Sequence, residues 1–351
     1  MPDLPPPPAA SFASDNFAGV APEVLAALAA ANEGPAQAYG DDPWTARAEA
    51  ALHDLFGTPI ESLMCWGGTG ANVVGLATVL QPWQAVLTTD TAHIVVDECG
   101  APARFTGSTI TPIPHVDGKL EPAALDPYLH WLGVEHHPQP AVVSITQSTE
   151  MGTLYTLDEL AALCEKAHAH GLLVHLDGAR IANAVAALGQ GLPAMVRDTG
   201  VDLMTFGFTK DGGMYGETVV FLRPEMAERA RYVRKQAGQL PSKARYIAAQ
   251  VLALLEDDLW LRHARHANAM ATRLAAATRD IPGVALLGEP QVNAVFAALP
   301  PAAIRPLQGW SFFWDWDLEA SLVRWMTSFT TTEDDVDRFA AGVRAIVADH
   351  A

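Results

Sequence analysis

The segment "FGFTKDGGMYGE" (206–217) sets a lysine where an apolar stretch opens into a glycine-rich turn. The chain has five lysines, and the other four stand in different surroundings. Lys166 lies beside Glu165 on an amphipathic helix, Lys119 sits in a "DGK" turn and Lys235 belongs to the basic run "RYVRK". Lys243, in "PSKAR", stands where a helix start could meet an anion. Only Lys210 follows an apolar strand into glycines. Desolvation favours a neutral amine, the form that attacks a carbonyl. Taken alone, Lys210 reads equally well as an ordinary loop lysine.

Asp177 supplies a second group. It closes the apolar run "LLVHL" (172–176), two residues after His175 and three before Arg180. By itself it also reads as a helix cap or as an ion-pair partner of Arg180. A carboxylate at one strand end, with a lysine at the end of a later strand, is what pyridoxal phosphate needs: the acid keeps the pyridine nitrogen protonated and the amine holds the aldehyde. A phosphate needs a third element. "GGTGAN" (67–72) offers backbone N–H groups and a hydroxyl at a helix start, an anion site. The dinucleotide fingerprint is absent, because the next glycine after Gly68 and Gly70 is Gly75, and no Walker lysine follows.

These groups need strands to hold them. "AVVSI" (141–145) is a strand-type run. "TLDEL" then opens a helix with Thr156 as N-cap and Glu159 at capping-box spacing. Leu157, Leu160, Cys164 and Ala167 recur at helical spacing, Gly171 ends the helix, and Leu172–Leu176 follows as a strand. Further strands are expected at Ala85–Thr89, Asp202–Phe208 and Thr218–Leu222. The β-α-β pattern predicts an α/β fold with a mostly parallel sheet covered by helices. Ligands of such sheets sit beyond the carboxyl ends of the strands, where "DGAR" (177–180), "TKDGG" (209–213) and "GGTGAN" would border one cleft. A long helical stretch, Lys243 to Leu274, is interrupted near Asp257. The expected division is an N-terminal arm (1–20), extended and mobile around Pro5–Pro8, a large domain (21–253) and a small C-terminal α+β domain (254–351).

Composition narrows the function. The formal net charge is −18, from 40 acidic and 22 basic residues, and such a field repels a phosphate backbone, so nucleic acid is not an expected partner. Cys65, Cys99 and Cys164 form no C-x-x-C pair. With no basic, apolar leader at the start, they point to a reducing, cytoplasmic setting. Residues 62–89 carry no charge, but Gly67, Gly68, Gly70, Asn72, Gln81, Pro82 and Gln84 argue against a membrane span. His136–His137 and His263–His266 lack neighbouring carboxylates in a ligand pattern and read as surface histidines, so no metal is expected.

The sequence resembles the low-specificity L-threonine aldolases and related phenylserine aldolases, fold-type I pyridoxal phosphate enzymes. The resemblance is carried by "SDN" (14–16), "ANEG" (31–34), "YGDD" (39–42), "GTGAN" (68–72), "HIVVDE" (93–98), "GAP" (100–102), "HLDGARIANA" (175–184), "FTK" (208–210) and "AGQLPSKARYIAAQ" (237–250). It implies that Lys210 binds pyridoxal 5'-phosphate covalently, Asp177 pairs with its ring nitrogen and His93 stacks on the ring. Gly68, Thr69 and Gly70, with Thr209, would hold the phosphate. Ser14, Arg180 and Arg324 would bind the substrate carboxylate, Arg180 also reaching the cofactor. Tyr39, on the substrate side, and Lys243, on the cofactor side, would reach a site held mainly by another subunit of a homodimer or homotetramer. The implied reaction is retro-aldol cleavage of an L-3-hydroxy-amino acid to glycine and an aldehyde, with His93, Glu98 or Glu150 as the base. Two positions depart from the pattern. Glu150 stands where members often have a histidine linked with recognition of the substrate hydroxyl. Asp211 follows the lysine where a small or neutral residue is expected. The alternatives are a β-eliminating lyase with the same cofactor, or a non-catalytic relative.

Overall fold

Short apolar runs between turn residues become the strands of one sheet. In a computed structural model that describes residues 4–350, these are β1 (Glu61–Cys65), β2 (Gln84–Thr89), β3 (Thr109–Ile113), β4 (Gln139–Thr146), β5 (Leu173–Gly178), β6 (Leu203–Gly207) and β7 (Glu217–Phe221). Their spatial order is β1-β7-β6-β5-β4-β2-β3. Strands β2 to β6 run parallel, and β6 and β7 are buried along their whole length. The expectation of a mostly parallel sheet holds, with one difference: β7 is antiparallel to both β6 and β1. Residues 208–216, which join β6 to β7, are too few for the crossover of a dozen or more that a parallel neighbour requires.

Helices cover this sheet. Helix α1 (Gly68–Val79) follows β1, and α2 (Leu157–His168) lies between β4 and β5. Thr156 and Glu159 form the full capping box of α2. Helix α3 (Ile181–Leu188) follows β5. The predicted long helix is α4 (Arg245–Leu255) and α5 (Leu259–Thr278), with the break at Asp257, whose φ is +49°. None of the described helices is long and apolar enough to cross a membrane.

The chain divides into two units, Val20–Thr209 with Gly213–Leu259, and the residues up to Gly19 with Lys210–Gly212 and those from Trp260 onward. The second unit holds an antiparallel sheet of β8 (Ala285–Leu286), β9 (Ala294–Ala298), β10 (Trp314–Asp317) and β11 (Leu322–Met326), in the order β10-β11-β9-β8. Its core gathers Phe12, Phe313, Trp325 and Phe339, with Phe12 stacked on Phe339 at 4.2 Å.

That packing corrects the expected mobile arm. Residues 1–3 lie outside the described residues, but the segment after them is held. Trp310 Nε1 donates to the Pro5 carbonyl at 3.0 Å, and the N–H groups of Ala9 and Ala10 donate to Asp335 Oδ1 at 2.8 and 3.1 Å. Of the expected surface histidines, His136, His137 and His266 are exposed and His263 is half-buried. His263 Nδ1 donates to the Asp211 carbonyl at 2.6 Å and stacks on Phe329, and His266 Nε2 donates to the Thr331 carbonyl at 2.7 Å.

Candidate active site

The carboxyl ends of β5 and β6 approach unusually closely. A Cβ on Gly178 would stand 2.5 Å from the Thr205 carbonyl oxygen, and one on Gly207 would stand 2.7 Å from the Ala179 carbonyl oxygen. Only glycine fits either place, because the obstructing atoms are backbone. This explains the glycine of "HLDGAR" and delivers Asp177 and residues 208–209 to one end of the sheet. Asp177 pairs in register with Thr205 on β6 and Thr146 on β4, so the three side chains share a face. Its Oδ1 accepts the Ala179 N–H at 3.0 Å and its Oδ2 accepts Asn72 Nδ2 at 2.8 Å.

Asn72, on α1, is the hub of a buried network. Its Nδ2 also donates to Glu98 Oε1 at 2.8 Å, and its Oδ1 accepts the Thr205 hydroxyl at 2.7 Å. Glu98 Oε1 accepts a further hydrogen bond from His93 Nδ1 at 2.8 Å. The His93 side chain is 47% exposed, whereas the carboxylate it touches is fully enclosed. With Nδ1 donating, the proton-accepting atom of the imidazole is Nε2. Glu150 Oε1 accepts the His93 backbone N–H at 3.0 Å and the Thr146 hydroxyl at 2.8 Å. Burial raises the Glu150 pKa; its hydrogen bonds oppose the rise and nearby Asp177 adds to it. Beneath Asp177, His175 is hydrogen bonded to Ser144 Oγ at 2.9 Å, and burial pushes its pKa down to about 4, so the imidazole is neutral.

The residues present fit pyridoxal phosphate. A carboxylate oxygen accepts more than one hydrogen bond, so Asp177 retains capacity for a pyridinium N–H. Helix α1 starts at Gly68, with no side-chain cap and no acidic residue in its first turn. Its first N–H groups are thus available to a phosphate, and the helix dipole favours that charge. A Cβ on Gly70 would fall 2.1 Å from Gln239 Oε1, which accepts the Trp66 N–H at 3.1 Å.

The other predicted residues are placed as follows. Thr69, Thr209, Lys210 and Arg180 are half-buried. Thr209 and Lys210 form a short 3-10 turn with Asp211 directly after β6, and Arg180 caps α3. Asp211 is buried rather than turned to solvent. Tyr39 is 52% exposed with a φ of +65°, and the Lys235 ammonium lies 4.9 Å above its ring. Lys243 is exposed. Ser14 Oγ accepts the Asn16 N–H at 3.2 Å, a turn role. Arg324 is half-buried on β11, over the Trp316 ring at 5.1 Å. The nearby acids are engaged elsewhere: Asp335 accepts the N–H groups of Ala9, Ala10 and Thr332, and Asp334 pairs with Arg338. His93, Glu98 and Asp177 are joined through Asn72, and the turn of Gly68, Thr69 and Gly70 opens the helix that carries it. Ser14, Lys210 and Arg324 belong to the second unit, and Tyr39 and Lys243 lie outside the network.

A family model described as "Beta-eliminating lyase" matches residues 11–300. The low specificity L-threonine aldolase of Pseudomonas sp. (strain NCIMB 10558) is 41% identical over 96% of this chain and 98% of its own length. The chain belongs to the beta-eliminating lyase family, among its low-specificity L-threonine aldolases. The protein of the same description from Pseudomonas aeruginosa is 42% identical, covering 96% of this chain and 97% of the relative. A solved structure, described as an initial structural analysis of Leishmania major threonine aldolase, superposes with a TM-score of 0.89 at 32% identity, covering 96% of this chain and 99% of that one. The architecture of this aldolase-family chain is fold-type I.

Sequence reasoning about this family member missed Asn72, Thr205, Thr146, Ser144 and His175 as parts of the site. Asn72 and His175 lie inside "GTGAN" and "HLDGAR", and a polar residue facing inward on an otherwise apolar helix or strand was the available signal.

Proposed function

We propose that the protein cleaves L-3-hydroxy-amino acids of the threonine, allo-threonine or phenylserine type to glycine and an aldehyde, as a pyridoxal phosphate-dependent aldehyde-lyase. The observation that carries the reading is Asp177, held at the carboxyl end of β5 by hydrogen bonds from Asn72 and the Ala179 N–H, in a chain whose Lys210 directly follows β6. The likeness to proteins named low specificity L-threonine aldolase supports it.

When bound, the cofactor supplies a sink for the electron pair of the breaking Cα–Cβ bond. The chain does the rest. Lys210 would supply the amine that anchors the cofactor. Asp177 holds a proton at the ring nitrogen. The N–H groups of Gly68, Thr69 and Gly70, with the Thr209 hydroxyl, fix the phosphate. Arg180 and Arg324, with Ser14, bind the substrate carboxylate and so orient the bond to be broken. His93 covers the cofactor ring, and its Nε2 takes the proton of the 3-hydroxyl. Glu98 sets the tautomer from Nδ1 and is itself too enclosed to meet substrate. The aldehyde leaves, and Cα regains a proton to give glycine.

The working form is proposed to be at least a homodimer, with Tyr39 and Lys243 completing a neighbour's site, in the cytoplasm. A fully active monomer by light scattering at assay concentration would refute that assembly. The activity is tested by incubating the protein with L-threonine and with L-phenylserine. Glycine plus acetaldehyde or benzaldehyde is expected. A keto acid plus ammonia would mean β-elimination and overturn the reading.

A further inference from the structure

The amide of Asn72 stands between two carboxylates that the proposed chemistry uses separately. Its two N–H bonds go to Glu98 Oε1 and Asp177 Oδ2, both at 2.8 Å. All three residues are buried, as is Thr205. The orientation of the amide follows from chemistry: two carboxylate acceptors require the NH2 end, and the Thr205 hydroxyl donates to the remaining oxygen. No other residue type of this size offers two divergent donors and one acceptor without a charge. Ordinarily two enclosed carboxylates sharing one site repel until one takes up a proton. Here the positive end of an amide dipole lies between them and donates to both.

We propose that Asn72 is a positioning residue that couples the two halves of the site, aiming Asp177 at the cofactor nitrogen and Glu98 at His93 Nδ1 through one pair of N–H bonds. The chain His93–Glu98–Asn72–Asp177 then ties the histidine that covers the cofactor to the acid that pairs with its nitrogen. The Asp177 half of this inference rests on the cofactor reading above; the Glu98–His93 half stands without it. Thr205 locks the amide but is not in contact with His93 or Glu98 in this network. Its loss leaves both donors in place.

The test uses full-length protein and two readouts that need no turnover. The first is the tautomer of His93 in cofactor-free protein, from imidazole 15N shifts. The second is the dissociation constant of pyridoxal phosphate, from spectral titration. Wild type is expected to hold His93 as the Nδ1-protonated tautomer. Asn72→Ala removes both donors and Asn72→Asp replaces them with acceptors. Each should mix the tautomers and weaken cofactor binding roughly ten- to a hundredfold, the loss expected for one hydrogen bond to a charged group. Thr205→Val should keep the wild-type tautomer and bind cofactor within about threefold of wild type, at the low end of what a single neutral hydrogen bond contributes. If Asn72→Ala loses thermal stability but keeps both the tautomer and the cofactor affinity of wild type, Asn72 is merely structural and the proposal fails. If Asn72→Ala does not fold, the isosteric Asn72→Asp decides by the same criteria. Failure of wild type itself to bind pyridoxal phosphate would instead overturn the cofactor reading and the Asp177 half, while the His93 tautomer would still decide the Glu98 half.

Discussion

Replacing Glu150 by glutamine isolates what it costs to bury a charge in this site. Glu150 Oε1 accepts hydrogen bonds from the His93 N–H and the Thr146 hydroxyl, and Oε2 is buried with no hydrogen-bond partner among the described residues. Burial raises the pKa above the ordinary carboxylate value, against the pull of the hydrogen bonds and with added repulsion from Asp177. The folded chain therefore binds this proton more tightly than the unfolded chain. Its stabilising contribution is complete below the unfolded pKa, about 4.3, and is lost as pH rises through the folded value. Within that window, wild type should lose about 1.4 kcal/mol per pH unit relative to a variant that does not titrate there. Glutamine keeps an oxygen for both hydrogen bonds. Its NH2 replaces Oε2, and the unmet donors add a cost of about 1–3 kcal/mol that does not vary with pH. The prediction is thus a slope rather than an offset. Urea unfolding of cofactor-free wild type and Glu150→Gln, followed by tryptophan fluorescence from about pH 4.5 to about pH 8, measures it. The deficit of the variant should be largest at the lowest pH, shrink as pH rises and then level off. Parallel profiles would mean that Glu150 binds its proton equally in both states, and the burial argument would fail.

Borohydride reduction of the cofactor-loaded protein should fix the cofactor to Lys210, and Lys210→Ala should abolish turnover while keeping the fold; a label mapped to Lys243 would sink the assignment. Arg324→Lys keeps the charge but loses the planar fork, so kcat/KM for every amino-acid substrate should fall roughly ten- to a hundredfold, the equivalent of about 1.5–3 kcal/mol. A fully active Arg324→Lys enzyme, or one that loses cofactor instead, would make the residue structural. Gly178→Ala places a methyl 2.5 Å from the Thr205 carbonyl oxygen, a backbone atom that cannot step aside. Unfolding by urea should show a loss of about 3 kcal/mol, the upper end of overpacking costs, and an undiminished midpoint would refute the close approach.

Much of the fold was legible because it depends on neighbours in sequence. The capping box at Thr156 and Glu159 involves residues three apart, and it formed as the spacing predicted. Strands β2, β4, β5, β6 and β7 fall within a residue or two of the expected runs. The break at Asp257 showed as an interruption in helical spacing. Strands β1 and β3 were not read from the sequence. Strand β1 opens on Glu61 and Ser62 and β3 contains Pro112, so neither shows the uninterrupted apolar run that marks a buried strand. The histidines at 136, 137 and 266 lie at the surface as the sequence suggested, and His263 is half-buried.

The sequence alone determined the chemical inventory and its coarse placement. It supplied one lysine after an apolar strand, an acid closing another, and a glycine turn opening a helix, because each is a local pattern with a local cause. Tertiary structure decided how those groups are held and which of them are enclosed. Asn72 meets Glu98 across 26 positions, Asp177 across 105 and Thr205 across 133. No periodicity or spacing rule reaches that far. Burial is likewise a property of the assembled chain. The same carboxyl group that would be an ordinary surface acid at Glu150, or at Glu98, acquires its character only when strands and helices distant in sequence close over it and exclude water.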